Sequence, residues 1–134
     1  MKKSGPAAPA PRSPCPLAGS LDIIGDRWTL LVVRDLIWGK ARFKEFADSP
    51  EGIPTNLLSE RLQRLENAGL VERRAYQDNP PRYEYALTPK GRGLKPVLSN
   101  LAAWGKRNIP GTLTRDEVAA QAAGAPRGKR AVRR

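Results

Sequence analysis

One stretch in the middle of the chain constrains the fold most, because it places an amphipathic helix directly before two strands. Leu58, Leu62 and Leu65 fall within roughly 60° of one another on a helix spanning residues 54–68, and polar side chains occupy the opposite side. Gly69 follows at the position where a helix end usually needs a left-handed residue. The pattern predicts a helix with one buried face and one polar face, followed at once by strands.

Two short strands are predicted after this helix, over residues 70–76 and 83–87. The second alternates aromatic or apolar residues with polar or small ones, which is the period of a strand. Residues 77–81 carry the Asp, Asn and Pro that favour a turn. The two strands therefore form a hairpin with a longer loop, and arginines lie at its base and near its tip.

Further helices are predicted from apolar spacing and from residues that begin or end helices. They cover residues 16–24, 27–37 with Asp26 as cap, 43–48 and 88–110. The chain is then mainly α with a small β-hairpin, in the order α-α-α-α-β-β-α. A short helix, a turn, a polar-faced helix and a hairpin in succession are the layout of a winged helix-turn-helix.

The 24 Lys and Arg residues outnumber the 13 Asp and Glu residues, which gives a formal net charge of +11 at pH 7. This balance points to a polyanionic partner, with nucleic acid ahead of a membrane surface. The absence of His and the single Cys exclude His-based catalysis, His metal ligands, cysteine clusters and intrachain disulfides. With no apolar stretch long enough to cross a bilayer and no signal peptide, we expect a cytoplasmic protein.

Composition predicts one domain over residues 15–110 between two disordered basic tails. Residues 1–14 have a net charge of +3 and many Pro and Ala residues, and residues 111–134 have a net charge of +4. The first of these tails has too few apolar residues to offset the entropy of ordering. Such tails add affinity for any polyanion without reading sequence, or serve only solubility.

A set of short motifs between Cys15 and Gly105 resembles the HxlR-type transcriptional regulators, without an obvious gap. Each motif alone is weak, and the set is specific. The motifs are Cys-Pro-Leu at 15–17, Gly-Asp-Arg-Trp-Thr-Leu-Leu at 25–31, Arg-Asp-Leu at 34–36, Arg-Phe at 42–43, Gly-Ile-Pro-Thr-Asn-Leu-Leu at 52–58, Arg-Leu-Gln-Arg-Leu-Glu at 61–66, Gly-Leu-Val at 69–71, Pro-Arg-Tyr-Glu-Tyr at 81–85, Leu-Thr-Pro-Lys-Gly at 87–91 and Trp-Gly at 104–105.

The resemblance implies a homodimeric bacterial winged-helix regulator, related in general design to the MarR-type regulators. It implies that the helix over residues 54–68 enters the major groove of DNA and that the hairpin is the wing. The terminal helices of that family form the dimer. In some members, the cysteine that matches Cys15 senses thiol oxidants or electrophiles.

The polar face of the 54–68 helix carries residue types that read bases and phosphates. Amides suit adenine, Ser suits a base or a phosphate, Arg suits guanine or a phosphate, and Thr at the helix start can donate to a phosphate. Glu60 on the same helix can accept from cytosine or pair with Arg64 at i,i+4. The alternative is an ordinary solvated face. The candidates are Thr55, Asn56, Ser59, Gln63 and Arg64.

Basic residues on and near the hairpin are candidates for contacts to phosphates or to the minor groove. The alternative is pairing with Glu72 and Glu84 across the strands. Arg82 is the favoured DNA contact because it lies nearest the tip. Arg73 and Arg74 must point to opposite sides, since side chains alternate along a strand. The candidates on the hairpin are Arg73, Arg74 and Arg82. Arg42 and Lys44, which come before the helix-turn-helix, are further candidates for phosphate contacts.

The apolar stripe along the last predicted helix fits either a dimer interface or the core of the chain itself. The resemblance favours the dimer, with the first helix contributing. The candidate interface residues are Leu17, Leu94, Val97, Leu98, Leu101 and Trp104.

Cys15 directly precedes a predicted helix N-terminus, where partial positive charge favours the thiolate. That position supports redox sensing. The alternative is a small buried apolar side chain, which is the usual fate of a free cysteine.

The sequence thus predicts a homodimeric transcriptional regulator that binds an inverted-repeat operator in double-stranded DNA. The alternatives are a non-specific nucleic-acid-binding module driven by its basic tails, and a protein–protein adaptor. No catalytic residue, metal site or cofactor is indicated, because catalytic groups at a recognisable spacing and a phosphate-binding glycine loop are both lacking. The sequence identifies no small-molecule effector.

Overall fold

The computed structural model describes residues 11–124 and confirms the predicted fold class, mostly helical with a two-stranded antiparallel hairpin. The chain divides after Pro96 into two compact units, so residues 15–110, predicted as one domain, fall into both. None of the helices within residues 11–124 combines the length and apolar character needed to span a membrane. The elements are α1 (Pro16–Ile24), α2 (Thr29–Ile37), α3 (Phe43–Ala47), α4 (Thr55–Asn67), β1 (Val71–Asp78), β2 (Pro81–Leu87), α5 (Pro89–Arg92), α6 (Lys95–Asn108) and α7 (Arg115–Gly124).

The core of the first unit forms where α4 packs against α2, α3 and β1. Leu58, Leu62 and Leu65, the predicted stripe of α4, are each at most 1% exposed. Val33 on α2 and Phe46 on α3 are equally buried. Burying one such side chain contributes about 1.5–3 kcal/mol. The leucine face therefore holds α4 in place and leaves its polar face outside.

The hairpin is fixed at its base and exposed along most of its length. Val71 on β1 pairs with Leu87 on β2, and both are buried. The backbone N–H of Tyr85 donates to the carbonyl of Ala41 at 2.7 Å, which attaches β2 to the segment between α2 and α3. The hairpin thus projects from the core as a wing beside α4.

The predicted last helix is interrupted, and the prediction of a single helix beyond Thr88 is wrong. The structure has α5 and α6 instead, with residues 93–94 between them. Pro96 explains the break, since it has no N–H to donate to the carbonyl of Arg92 and its ring would clash with that carbonyl. Thr88 does cap α5, because its hydroxyl accepts from the N–H of Gly91 at 3.1 Å. Within residues 11–124 the order is therefore α-α-α-α-β-β-α-α-α.

In the second unit, α7 lies within residues 111–134, which composition predicted to be a disordered tail. The hydroxyl of Thr114 accepts from the N–H of Glu117 at 3.1 Å, and the Glu117 carboxylate accepts from the N–H of Thr114 at 2.8 Å. This reciprocal capping box starts the helix. These ten residues are therefore helical, whereas composition predicted that they are disordered. Residues 1–10 and 125–134, which hold most of the basic tail side chains, lie outside the described residues.

Candidate DNA interface

The outer face of α4 carries four of the predicted site residues. Thr55 is the first residue of the helix, and it is exposed together with Asn56, Ser59 and Gln63. The Gln63 side-chain amide donates to the Oδ1 of Asn67 at 3.1 Å. Asn67 thus extends the row of amides by one turn. Sequence reasoning missed it, although its i,i+4 spacing from Gln63 was a usable signal.

Arg64, the fifth candidate on α4, is bound to two acids. Its Nη1 lies 3.5 Å from the Oδ1 of Asp26, and its Nη2 lies 3.2 Å from the Oε2 of Glu60. The i,i+4 pair with Glu60 confirms one of the two alternatives that the sequence offered. A guanidinium has five N–H donors, so these two contacts leave donors for a phosphate.

Asp26 connects the start of α2 to α4. Its carboxylate accepts from the backbone N–H groups of Trp28 at 3.0 Å and Thr29 at 3.3 Å, and from the Thr29 hydroxyl. It also accepts from the Nε of Arg61 on α4 at 2.7 Å. The helix begins at Thr29 with Trp28 at the N-cap position, so the predicted start at residue 27 with Asp26 as cap is wrong, although Asp26 does accept from N–H groups at the start of α2. Its contact with Arg61 was not predicted, because the two residues are far apart in the chain.

Hydrogen bonding keeps the Asp26 carboxylate ionised. Partial burial raises its pKa, but the hydrogen bonds from Thr29, Arg61 and Trp28 outweigh burial and hold the pKa far below its usual range. The hydrogen bond to Asp26 in turn raises the pKa of Arg61. The pair therefore stays charged through the physiological pH range.

A second carboxylate fixes the turn in front of α4. Asp35 on α2 is 3% exposed and accepts from the Ser49 hydroxyl and, at 2.9 Å, from the Nη2 of Arg34. The Nζ of Lys40 lies 3.7 Å from the same carboxylate. Arg34 also donates to both carboxylate oxygens of Glu51 at 2.8 Å, and these hydrogen bonds lower the pKa of Glu51. The network joins α2 to the turn between α3 and α4.

Arg73 braces the wing against α4. Its guanidinium lies 4.4 Å from the centre of the Tyr83 ring, and its Nε lies 3.9 Å from the Oε2 of Glu66 on α4. The predicted alternative was pairing with Glu72 or Glu84 across the strands. Arg73 instead contacts an acid on α4. A cation over an aromatic ring at an exposed site contributes about 0.5–1 kcal/mol.

Arg42, just before α3, braces the opposite strand face in a similar way. Its guanidinium lies 3.8 Å from the centre of the Tyr76 ring, and its Nε lies 3.9 Å from the Oε1 of Glu84. Lys44 is exposed, and its Nζ lies 3.6 Å from the Oδ2 of Asp48. Both basic residues are therefore on the surface, and Arg42 is the more constrained of the two.

Arg82 and Arg74 are the wing arginines whose charge is not neutralised by a pair. Both are exposed, and neither forms an ion pair within residues 11–124. Arg82 lies near the tip, opposite Gln77. Arg74 lies beside the end of α2, on the other side of β1 from Arg73 and its Glu66 contact. The wing thus presents an available cation near its tip.

The predicted interface residues are largely uncovered by the chain itself. Leu17 on α1 is 67% exposed, and Leu101 and Trp104 on α6 are 54% and 53% exposed. For these α6 residues, the alternative of a core position within the described chain is therefore wrong. The less exposed members of the set are Val97, Leu94 and Leu98.

Cys15 is exposed and directly precedes the first residue of α1. The alternative of a small buried side chain is therefore wrong for the described chain, and the thiol is accessible to reagents. Among residues 11–124, no three His, Cys, Asp or Glu side chains are grouped closely enough to hold a metal ion.

A family model described as HxlR-like helix-turn-helix matches residues 23–112. The chain belongs to this family. The match covers all elements from α2 to α6 and confirms the resemblance seen in the motifs. The uncharacterized HTH-type transcriptional regulator YdeP of Bacillus subtilis (strain 168) is 40% identical over 93 residues, or 69% of this chain and 73% of YdeP. This HxlR-family chain is thus a DNA-binding transcriptional regulator.

Solved structures agree with this family assignment. The structure of the candidate transcription factor PA1607 matches with a TM-score of 0.68 and 37% identity, over 77% of this chain and 72% of PA1607. The redox regulator HypR in its oxidized form matches with a TM-score of 0.65 and 38% identity, over 70% of this chain and 97% of HypR. Both identities are high enough to support shared family as well as shared fold.

Replacing Asp26 with Asn is expected to lower the free energy of unfolding by about 1.5–3 kcal/mol at pH 7, the range for hydrogen bonds to a charged group. The folded-state pKa of Asp26 lies below its unfolded value. Its contribution is therefore complete above the unfolded pKa of roughly 3.9 and is lost as the pH falls through that value towards the folded pKa. Urea unfolding of the unmodified protein and of D26N, at pH 7 and at lower pH, measures the difference between their free energies of unfolding. This difference should become smaller as the pH falls.

Asp48→Asn is the matched control for this experiment. The Asp48 side chain is exposed and forms an ion pair with the exposed Lys44. An exposed pair of this kind contributes at most about 1 kcal/mol. The assigned role of Asp26 would be contradicted if D26N were as stable as the unmodified protein at pH 7. It would also be contradicted if the difference between their free energies of unfolding did not change with pH.

Proposed function

We propose that the chain binds a specific operator in double-stranded DNA, with α4 in the major groove and the hairpin as a wing beside it. The observation that carries this proposal is the exposed polar face of α4, which includes Asn56, Ser59 and Gln63. Buried leucines and the Asp26–Arg61 contact hold the helix from the other side. A rigid helix that presents amides can read adenine through two hydrogen bonds.

Cations around α4 supply the contacts to the DNA backbone in this proposal. Arg82 serves as the phosphate or minor-groove contact of the wing, which its exposure and lack of an ion pair within residues 11–124 support. Arg64 donates its remaining N–H groups to a phosphate while Asp26 and Glu60 hold its position. Phosphate contacts of this kind fix the register of the helix, and base contacts supply the specificity.

The proposal includes a homodimer formed by α1 and α6. Leu17, Leu101 and Trp104 are each more than half exposed, and large apolar side chains left uncovered on helices favour a protein–protein interface. A two-fold dimer presents two copies of α4, so the operator is an inverted repeat with half-sites about one helical turn apart, or a multiple of that spacing.

The proposal also includes a redox response through Cys15. The thiol is exposed and precedes a helix N-terminus, and the similar protein HypR is a redox regulator. Because the chain has one cysteine, the available oxidised forms are an intersubunit disulfide, a mixed disulfide or a sulfenic acid.

Asn56→Ala or Gln63→Ala should weaken operator binding by about 1–3 kcal/mol if the amide makes two hydrogen bonds to a base. Neither change should affect random DNA, because non-specific binding depends on phosphates. Arg82→Ala should instead weaken binding to both DNAs and lower the salt slope by roughly one. Salt titrations of affinity on a selected operator and on a random duplex measure these effects.

Arg107→Ala controls for loss of one positive charge, since Arg107 is exposed on α6 and is not among the proposed contacts on α4 and the wing. It should change the salt slope less than Arg82→Ala does. Equal weakening of both duplexes by the two α4 variants would show that these amides do not read bases. The non-specific alternative would then explain the binding better.

Replacing Leu101 and Trp104 together with Glu should convert a dimer into monomers that bind the operator weakly, because charges cannot be buried at an apolar interface without partners. Light scattering at micromolar concentration measures the mass. Val118→Glu is the control, since Val118 on α7 is similarly exposed and lies outside the proposed interface. An unmodified protein that is monomeric at this concentration would overturn the dimer.

Treatment with diamide, a thiol oxidant, should change operator affinity, and Cys15→Ser should abolish that change while leaving untreated binding intact. Diamide takes two electrons from a pair of thiols, so a covalent dimer on a non-reducing gel identifies an intersubunit disulfide. Glutathione added with diamide supplies the second thiol of a mixed disulfide, and hydrogen peroxide supplies the oxygen of a sulfenic acid; intact mass identifies either product. If the mass proves that Cys15 is oxidised and the affinity stays the same, Cys15 has no sensing role.

A further inference from the structure

A groove of about 410 Å³ lies in the first unit between the end of α2, the hairpin and α5. Leu36, Ile37, Tyr85 and Leu87 are among the residues that line it. Leu36 and Leu87 belong to the buried core, so the floor of the groove is apolar and well packed. The volume lies within the roughly 300–1,000 Å³ typical of small-molecule sites.

Positive charge surrounds this apolar floor. Four basic side chains line the groove against a single acid, Glu84. Glu84 is itself engaged, since its Oε1 lies 3.9 Å from the Nε of Arg42. The charge of the groove therefore favours an anion. The four basic residues are Lys40, Arg74, Arg92 and Lys95.

Two of these cations are held in place and two are available. The Nζ of Lys40 donates to the Ser49 hydroxyl at 2.7 Å, and the Nη1 of Arg92 donates to a backbone carbonyl at 2.8 Å. Arg74 and Lys95 are exposed and form no ion pair within residues 11–124. A negative group that reaches Arg74 or Lys95 therefore does not compete with an ion pair within residues 11–124.

We propose that this groove binds a small organic anion with an apolar body, such as an aromatic or medium-chain carboxylate or sulfonate. The apolar floor takes the hydrocarbon part, and Arg74 and Lys95 take the charge through charge-assisted hydrogen bonds. A DNA phosphate uses the cations but leaves the apolar floor unfilled, so the combined lining favours the small anion. The site goes beyond operator binding and stands whether or not α4 reads bases.

The test uses the full chain and naphthalene-2-sulfonate as the probe. Calorimetry should show saturable binding of one probe per chain. Amide chemical shifts should change most at the end of α2 and along β2, where the groove is. Naphthalene-2-sulfonamide, which keeps the ring and lacks the charge, and sulfate, which lacks the ring, should each bind at least about tenfold more weakly, as loss of a charged hydrogen bond or of an aromatic body requires.

Arg74→Gln and Lys95→Gln together should weaken probe binding at least about tenfold. Arg73→Gln is the matched control: it removes the same charge from the neighbouring residue on the other strand face and should keep affinity within about twofold. Equal weakening by the control, shift changes centred on α1 or α6, or absence of saturable binding would each overturn the proposal. It would also be overturned if Arg74→Gln and Lys95→Gln weakened random-duplex binding and left probe binding unchanged, since the groove would then be a phosphate contact.

Discussion

The buried carboxylate of Asp35 is the constraint on which the helix-turn-helix arrangement depends. A charge that is 3% exposed is costly unless it is paired, and removing a partner of such a charge typically costs about 3–5 kcal/mol. Its partners come from three places in the chain: Arg34 on the same helix, Lys40 beyond the end of α2, and Ser49 in the turn after α3. Satisfying one charge therefore fixes that turn against α2. The position at which α4 begins follows from the turn.

Most of the regular structure could be predicted because its signals are local. α1 has the predicted bounds, and the predicted leucine face of α4 is the one that is buried. The errors also have physical causes. The apolar spacing continues across Pro96 and therefore predicted one continuous helix, but Pro96 lacks the N–H group that the helix needs there, and the helix is interrupted. The capping box of Thr114 and Glu117 was hidden because composition averages over a whole segment, whereas a cap depends on two residues.

The positions of the candidate site residues could be predicted, but their partners could not. Alternation and helical period place side chains on a face, and they identified the exposed face of α4 and the available Arg82 near the wing tip. The ring beneath Arg42 and the acid beside Arg73 come from other elements, and spacing along the chain carries no signal for such contacts. Arg64 shows both cases: its i,i+4 partner Glu60 was foreseeable, and Asp26, 38 positions away, was not. Residue type and spacing thus predict where the basic side chains lie, but they do not predict which of these side chains already have a partner within the fold.

α4 is held from one side only. Its leucines, Arg61, Arg64 and Glu66 contact the rest of the fold, while the side chains of Asn56 and Ser59 form no hydrogen bond within residues 11–124. Exchanges at exposed positions of this kind usually change stability by less than about 0.5 kcal/mol. In the proposed function, folding and target choice therefore depend on different residues of one helix. Under that proposal, duplicated copies of such a gene can diverge towards new operators through a few outward substitutions, without compensating changes in the core.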